Sequence, residues 1–292
     1  MISTRSATYV AIAVVLLAAS AGCGGGDDSP DAAPTSASTT PAGPSGTYEV
    51  DGRQLALRCE GEGSPVVILE PGDGGVQDDF ADLLPGLAEL TKVCTYDRAG
   101  RGDSDPPPTT PRTSAEVVED LHGLLESAGV APPYVLGGVS AGGSFVVHFA
   151  RAHPEEVLGV VAMNEVPLYD DWMTRAYPLL TEAQVADEEA YYGGDNTESL
   201  DWIASSEQQR ELPAPDGVPL VLLHSTVAQC SDEPETGPCH VTSDLYLDLG
   251  REYAAEWPGA TFEPVAAGHQ IQQEEAEKVL GLLEGMVTQA PG

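Results

Sequence analysis

The sequence predicts an α/β domain built on a mostly parallel sheet. From Tyr48 onward, short segments rich in Val, Ile and Leu alternate with segments of helical periodicity, and this alternation is typical of a layered α/β fold. Several of the strand-like segments, such as PVVILE and PYVLGGV, are apolar on both faces. Central parallel strands need that pattern because helices cover them from both sides. We therefore expect a mostly parallel central sheet with helices on both of its faces.

Seven strand-like segments and two helices can be predicted along the chain. The strand-like segments are GRQLALRCE, PVVILE, KVCTYD, PYVLGGV, VLGVVAMN, VPLVLLH and TFEPVAA. One helix is predicted to begin at Thr113, which forms a capping box with Glu116, and to stop at Gly129. A second helix is predicted directly after Ser140, ending ahead of Pro154. Ser140 therefore stands between a strand and a helix.

Length, composition and charge exclude some classes of function. The chain has 292 residues, of which 41% are hydrophobic, and this is enough to fill the core of a large domain. It carries 12 Lys and Arg against 47 Asp and Glu, a formal net charge of -35. So acidic a chain is not expected to bind nucleic acid or an anionic membrane surface by electrostatic attraction.

The N-terminal residues are typical of an export signal. A basic start at Arg5 precedes an apolar run that is too short for a spanning helix, so we interpret residues 1–22 as a signal peptide. The run closes on SAGC and resembles the lipobox of bacterial lipoproteins, which implies that Cys23 becomes a lipidated N-terminus on the extracytoplasmic side of the cell membrane. An ordinary signal peptide is the alternative. Residues 23–46 lack apolar periodicity and are expected to form a flexible tether to a folded domain at 47–292.

Four further cysteines suggest disulfide bonds. An even number of cysteines in an exported protein is consistent with pairing in an oxidising compartment. Of the three ways to pair them, we favour Cys59 with Cys94, which lie on two strand-like segments, and Cys230 with Cys239, which close the short loop CSDEPETGPC.

The run GVSAG at 138–142 carries the strongest functional signal. G-x-S-x-G between a strand and a helix resembles the nucleophile elbow of the α/β-hydrolase family. The segments CTYDRAGRGDSD and VILEPGDGG are similar to that family's loop after the fourth strand and its first oxyanion-hole turn. The resemblance covers most of residues 48–287. It implies the α/β-hydrolase fold, with Cys59 and Cys94 on neighbouring strands and a cap at about 167–217, inserted after the sixth strand.

The resemblance also implies a catalytic triad in the chain order nucleophile, acid, histidine. Ser140 matches the nucleophile, and His269, in the segment AAGHQIQQEEAEKV after the last strand, matches the general base. The acid has two candidates. Glu165 follows the strand segment VLGVVAMN and is the first choice, while Asp232 follows VPLVLLH and is the alternative.

The resemblance further implies that two backbone N–H groups, those of Ala141 and Asp73, bind the oxyanion of the tetrahedral intermediate. The carboxylate of Asp73 would have to point away from the developing negative charge. The cap region carries aromatic residues that either contact the substrate or pack the cap onto the core. They are Trp172, Tyr177, Tyr191, Tyr192 and Trp202.

These residues together predict an exported serine hydrolase that cleaves carboxylic esters or related small acyl compounds. We expect no metal and no organic cofactor, because no Cys and His cluster has zinc spacing and GGVSAGG lacks the Lys ending of a phosphate loop. A peptidase of the same fold, similar to proline iminopeptidases, is one alternative. A non-catalytic surface lipoprotein that keeps the fold is the other.

Overall fold

The computed structural model of the chain describes residues 42–227 and 238–289. The strands of the described residues are β1 (Ala42–Val50), β2 (Arg53–Glu60), β3 (Val66–Glu70), β4 (Val93–Asp97), β5 (Tyr134–Val139), β6 (Val157–Met163), β7 (Leu220–Ser225) and β8 (Thr261–Val265). They form one sheet in the order β1-β2-β4-β3-β5-β6-β7-β8. The pairs β1–β2 and β2–β4 are antiparallel and all other neighbours are parallel. The predicted mostly parallel sheet is confirmed.

Helices connect the strands as the alternation predicts. They are α1 (Leu84–Leu90), α2 (Ser114–Ser127), α3 (Ala141–Ala152), α4 (Tyr169–Ala176), α5 (Glu182–Tyr192), α6 (Trp202–Glu211), α7 (Pro238–Ala255), α8 (Ile271–Glu274) and α9 (Ala276–Thr288). The capping box of Thr113 and Glu116 begins α2, and Gly129, with φ +67°, follows its end. Both helices predicted from local sequence signals are confirmed.

The core lies on both faces of the sheet. Apolar residues of α2, α3 and α7 pack on one face, and those of α1 and α9 pack on the other. The central strands β3 and β5 are buried along their whole length, which explains why their sequences show no alternation.

The first strand begins inside the segment that was expected to be tether. β1 starts at Ala42 and pairs with β2 at the edge of the sheet, with an irregular register between Ala42 and Ser45. An edge strand tolerates the Gly and Pro of AGPSG because only one of its sides must donate hydrogen bonds to a neighbour. The pairing with β2 gives this segment a structure that its own composition does not signal.

One of the two favoured disulfides is present. Cys59 on β2 and Cys94 on β4 are register partners and are bonded, with 4.1 Å between their Cα atoms. Their pairing on adjacent strands confirms this prediction. The other pair, Cys230 with Cys239, lies outside the residues whose side chains the structure describes, and so does Cys23.

The cap occupies the connection between β6 and β7, where it was expected. This connection contains α4, α5 and α6. Trp202 at the start of α6 is buried and its ring stacks on Phe145 of α3, with 5.6 Å between the centroids. Trp202 therefore packs the cap onto the helix that follows Ser140.

The described residues contain neither a candidate membrane-spanning helix nor a candidate metal site. No helix among them is both long and apolar enough to cross a membrane. No group of three or more His, Cys, Asp or Glu side chains in that same part of the chain is placed to hold a metal ion.

Candidate active site

Ser140 occupies a strained turn at the end of β5. Its backbone has φ +55° and ψ -123°, a region that non-glycine residues rarely adopt. Two hydrogen bonds hold it there: its N–H donates to the carbonyl of Met163 at 2.7 Å, and its own carbonyl accepts from the N–H of Ser144 at 3.2 Å. The neighbouring strand β6 and the first turn of α3 therefore fix the backbone that presents the hydroxyl.

The glycines of GVSAG are required by close backbone contacts. A Cβ at Gly138 would overlap the carbonyl of Gly142, and a Cβ at Gly142 would overlap the carbonyl of Glu70. Both obstacles are backbone atoms, so they cannot move aside as a side chain could. The sharp turn at Ser140 therefore requires glycine at both positions.

The turn after β3 approaches Ser140 from the other side. A Cβ at Gly72 would lie 3.4 Å from Cβ of Ser140 and 4.0 Å from its Oγ. In this turn, the N–H of Gly74 donates to Glu198 at 2.6 Å and that of Gly75 donates to Gly72 at 3.0 Å. The N–H of Asp73 makes no hydrogen bond among the described residues, so it is free to bind a substrate atom.

The side chain of Asp73 is held by the cap. Its Oδ2 accepts a hydrogen bond from the N–H of Thr197 at 3.0 Å. The N–H of Ala141, the other expected oxyanion donor, begins α3 and has no acceptor within that helix. The oxyanion role of these two N–H groups stays a prediction, and the Asp73 carboxylate is hydrogen-bonded to the cap.

Arg98 connects the cap to the turn beside Ser140. It is almost fully buried and forms ion pairs with Glu70 at 2.6 Å and Glu198 at 2.5 Å. The same guanidinium donates to the carbonyls of Pro71 and Gly72 and lies over the ring of Phe145. We call Glu70, Arg98 and Glu198 the Arg98 cluster. Because Glu70 belongs to β3 and Glu198 to the cap, this cluster fixes the turn between them.

Burial and the charge of Arg98 have opposing effects on the pKa values of the two carboxyls in the Arg98 cluster. Desolvation raises the pKa of the Glu70 carboxyl to about 7, although Arg98 favours its ionised form. Burial also raises the pKa of the Glu198 carboxyl, but the hydrogen bonds and charge of Arg98, the N–H of Gly74 and the charge of Arg101 together outweigh it and lower that pKa. The positive charge of Arg98 thus stabilises the ionised form of both carboxyls.

His269 lies in the loop between β8 and α8. Burial lowers its pKa, so the imidazole is neutral at neutral pH and can accept a proton. Its backbone carbonyl accepts a hydrogen bond from the side chain of Asn164 at 3.0 Å. Ser140 and His269 line the same cavity of about 280 Å³.

Asn164 is a positioning residue that the sequence reasoning missed. Its backbone has φ +48°. Its side chain joins the end of β7 to the loop between β8 and α8, which we call the histidine loop. Oδ1 accepts a hydrogen bond from the N–H of Ser225, and Nδ2 donates one to the backbone carbonyl of His269. Asparagine tolerates a left-handed backbone better than most residues. An Asn directly after a predicted strand was the only signal in the sequence.

Glu165 contacts a different histidine from the one expected. Its Oε2 lies 2.7 Å from Nε2 of His224, and both side chains are buried. His224 is the penultimate residue of β7, whereas His269 follows β8. The structure therefore brings Ser140 and His269 together and pairs Glu165 with His224. Asp232, the alternative acid, lies outside the described residues.

Residues of the cap line the cavity over Ser140 and His269. Three of the five cap aromatics named above, Trp172, Tyr191 and Tyr192, line it together with Glu188 and Tyr246. Trp202 packs the cap instead, and Tyr177 stacks edge-on against Tyr169. The cap aromatics are thus divided between those that line the cavity and those that pack within the cap or onto the core.

Comparisons with known proteins agree with this architecture. A family model described as alpha/beta hydrolase fold matches residues 65–194. The uncharacterized hydrolase YraK of Bacillus subtilis (strain 168) is 33% identical over 113 residues, which are 38% of this chain and 41% of YraK. The chain spans less than half the length of the curated relatives it matches, from 19% to 47% of the first two.

Solved structures extend the similarity over most of the chain. The enol-lactonase from Burkholderia xenovorans LB400 matches with a TM-score of 0.57 and 21% identity, covering 84% of this chain and 100% of the lactonase. The epoxide hydrolase VrEH1 from Vigna radiata matches with a TM-score of 0.59 and 15% identity, covering 84% and 98%. At these identities the likeness shows the fold, and the reaction must be argued from the site.

The Arg98 cluster makes a testable prediction about stability. Arg98→Met removes the charge that two buried carboxylates share, and we expect a loss of about 3–5 kcal/mol in the free energy of unfolding. Urea denaturation of the purified protein measures it. The control is Arg58→Met, whose exposed pair with Asp78 should contribute no more than about 1 kcal/mol. Equal effects of the two substitutions would contradict the importance of the cluster.

Proposed function

We propose that this chain, which has the α/β-hydrolase fold, is a serine hydrolase that cleaves carboxylic esters or related small acyl compounds. One observation carries the proposal: the strained, solvent-accessible Ser140 and the neutral His269 line one cavity beneath the cap. A serine hydroxyl becomes a nucleophile when a neighbouring base removes its proton. The pair supplies both groups.

The reaction proceeds in two halves. Oγ of Ser140 attacks the carbonyl carbon while its proton passes to the imidazole of His269, and the N–H groups of Asp73 and Ala141 bind the oxyanion. The tetrahedral intermediate collapses, the leaving alcohol takes the proton from the imidazolium, and the acyl group stays on Ser140 as an ester. Water then attacks this ester by the same route, which releases the carboxylic acid and restores the hydroxyl.

The nucleophile is tested with short p-nitrophenyl esters. Ser140→Ala should lower kcat by at least about 10⁴-fold, because removal of a catalytic serine eliminates the acyl-enzyme route. Release of p-nitrophenol measures the rate. The matched control is Ser144→Ala, four residues along α3, whose Oγ accepts a hydrogen bond from Val166 and should not be required for chemistry. Retained activity in Ser140→Ala would reject the proposal.

We propose Asp232 as the residue that orients His269. Two observations favour it over Glu165: the carboxylate of Glu165 pairs with His224, and Asp232 is the other candidate acid, which follows β7 in the sequence. An acid that holds the histidine in the right tautomer contributes up to about 10⁴-fold to kcat.

Two amide substitutions separate the candidate acids. Asp232→Asn should lower kcat by roughly 10²- to 10⁴-fold, since the wrong tautomer of His269 would be favoured. Glu165→Gln should leave kcat within about tenfold of the wild-type value, because this substitution changes only the contact with His224 and the local packing. Steady-state hydrolysis of the same p-nitrophenyl esters compares them. The reverse order of effects would assign the acid to Glu165.

We also propose that the protein is exported and anchored to the membrane through a lipid on Cys23. The signal-like residues 1–22 motivate this proposal, and the disulfide between Cys59 and Cys94 supports it because such bonds persist in oxidising compartments. Cys23→Ala should move the protein from the membrane fraction to a soluble fraction, which immunoblotting of separated fractions measures. Equal membrane association of wild type and Cys23→Ala would contradict the anchor.

A further inference from the structure

The lining of the cavity over Ser140 combines aromatic rings with a single carboxylate. The rings are those of Trp172, Tyr191, Tyr192 and Tyr246, and the carboxylate is that of Glu188. No Lys or Arg is among the described residues that line this cavity. Aromatic faces and a carboxylate attract the same kind of ligand group, one with a positive charge.

The rings are set at steep angles to one another. Tyr191 and Tyr192 have an interplanar angle of 81° with centroids 5.7 Å apart, and Trp172 and Tyr246 have one of 80° with centroids 6.3 Å apart. Walls of different orientation can surround a compact group on several sides, and the attraction of a cation to a ring face extends to about 6 Å from the centroid.

Burial keeps the three tyrosines neutral. It raises the pKa of Tyr191 to about 12 and those of Tyr192 and Tyr246 well above their usual value. These three side chains are therefore uncharged, and the negative charge of this region comes from Glu188.

Glu188 has only part of its hydrogen-bonding capacity in use. Its Oε2 accepts from the indole N–H of Trp172 at 2.7 Å, and Oε1 has no hydrogen bond among the described residues. No cationic side chain there forms an ion pair with Glu188, and its burial raises the pKa of its carboxyl. A positive ligand group would supply the missing counter-charge and would favour the ionised carboxylate.

The charge and the size of the site restrict the ligand further. A net charge of -35 raises the local concentration of cations near the protein surface and disfavours anionic substrates. The cavity of about 280 Å³ lies at the lower end of the range for small-molecule pockets, roughly 300–1,000 Å³. The substrate should thus be small.

We infer that the substrate is a small ester or amide that carries a cationic ammonium group, held by Trp172, the neighbouring tyrosines and Glu188 while its carbonyl lies at Ser140. This inference rests on the proposed function and names its substrate class. The ammonium group orients the acyl compound, because its binding region and the nucleophile belong to one cavity.

The test compares acetylcholine with 3,3-dimethylbutyl acetate, two esters of nearly equal shape that differ in charge. We expect kcat/KM of the purified full chain to be at least about tenfold higher for acetylcholine. A second pair, L-alanine p-nitroanilide and propionyl p-nitroanilide, places the charge on the acyl side. A preference for the cation in either pair supports the inference and locates the charge. Absence of a preference in both pairs overturns it.

Substitution at Glu188 shows whether this carboxylate is responsible. Glu188→Gln should reduce the preference for the charged substrate to about threefold or less, since only the ring faces remain. The matched control is Glu189→Gln, the adjacent exposed residue of α5, which does not line the cavity and should keep the wild-type preference within about twofold. The preference should also fall as the pH is lowered through the raised pKa of Glu188, because the protonated carboxyl is uncharged. A preference that Glu188→Gln leaves intact overturns the role of Glu188.

A binding measurement separates this inference from the proposed function. Calorimetry of tetramethylammonium with Ser140→Ala requires no catalysis. If wild type hydrolyses the p-nitrophenyl esters but none of these four compounds, the proposed function stands and the calorimetry decides the ammonium site. If wild type hydrolyses neither, the proposed function fails, and the calorimetry alone decides the ammonium site. Binding that Glu188→Gln abolishes and Glu189→Gln retains supports the site, and absence of binding overturns it.

Discussion

The backbone of Ser140 is the constraint on which the rest of the site depends. A left-handed residue at the end of a buried strand costs of the order of 1–3 kcal/mol and persists only where its surroundings determine it. Here β6 holds its N–H, α3 holds its carbonyl, and two glycines let the strand, the turn and the helix approach without overlap. Sheet packing therefore positions the Ser140 hydroxyl at the cavity that the cap lines. The loop between β8 and α8, which carries His269, reaches the same cavity from the end of the same sheet.

The cap and the floor of the cavity form one connected structure. Glu198 of the cap contacts both Arg98 and the N–H of Gly74, and Thr197 holds the carboxylate of Asp73. A shift of this cap loop would move the turn that faces Ser140. The turn that faces Ser140 is thus tied to the cap, so a change in the cap should affect the rate of chemistry as well as substrate binding.

Local signals in the sequence predicted much of the fold and part of the site. Three features depend on residues close together in the sequence and can therefore be predicted from it. They are the capping box at Thr113, the G-x-S-x-G turn and the apolar strands. The first strand, Asn164 and the Glu165–His224 pair were not foreseen, because each depends on a partner distant in sequence. His224 lies 59 residues after Glu165, and no local pattern predicts that contact.

The central claim is that Ser140 is a nucleophile activated by His269. Intact-mass spectrometry after treatment with a fluorophosphonate, followed by peptide mapping, tests it most directly. The account predicts one adduct per chain, located on Ser140, and a labelling rate that falls strongly in His269→Ala. No adduct on the folded protein, or an adduct on another residue, would contradict it.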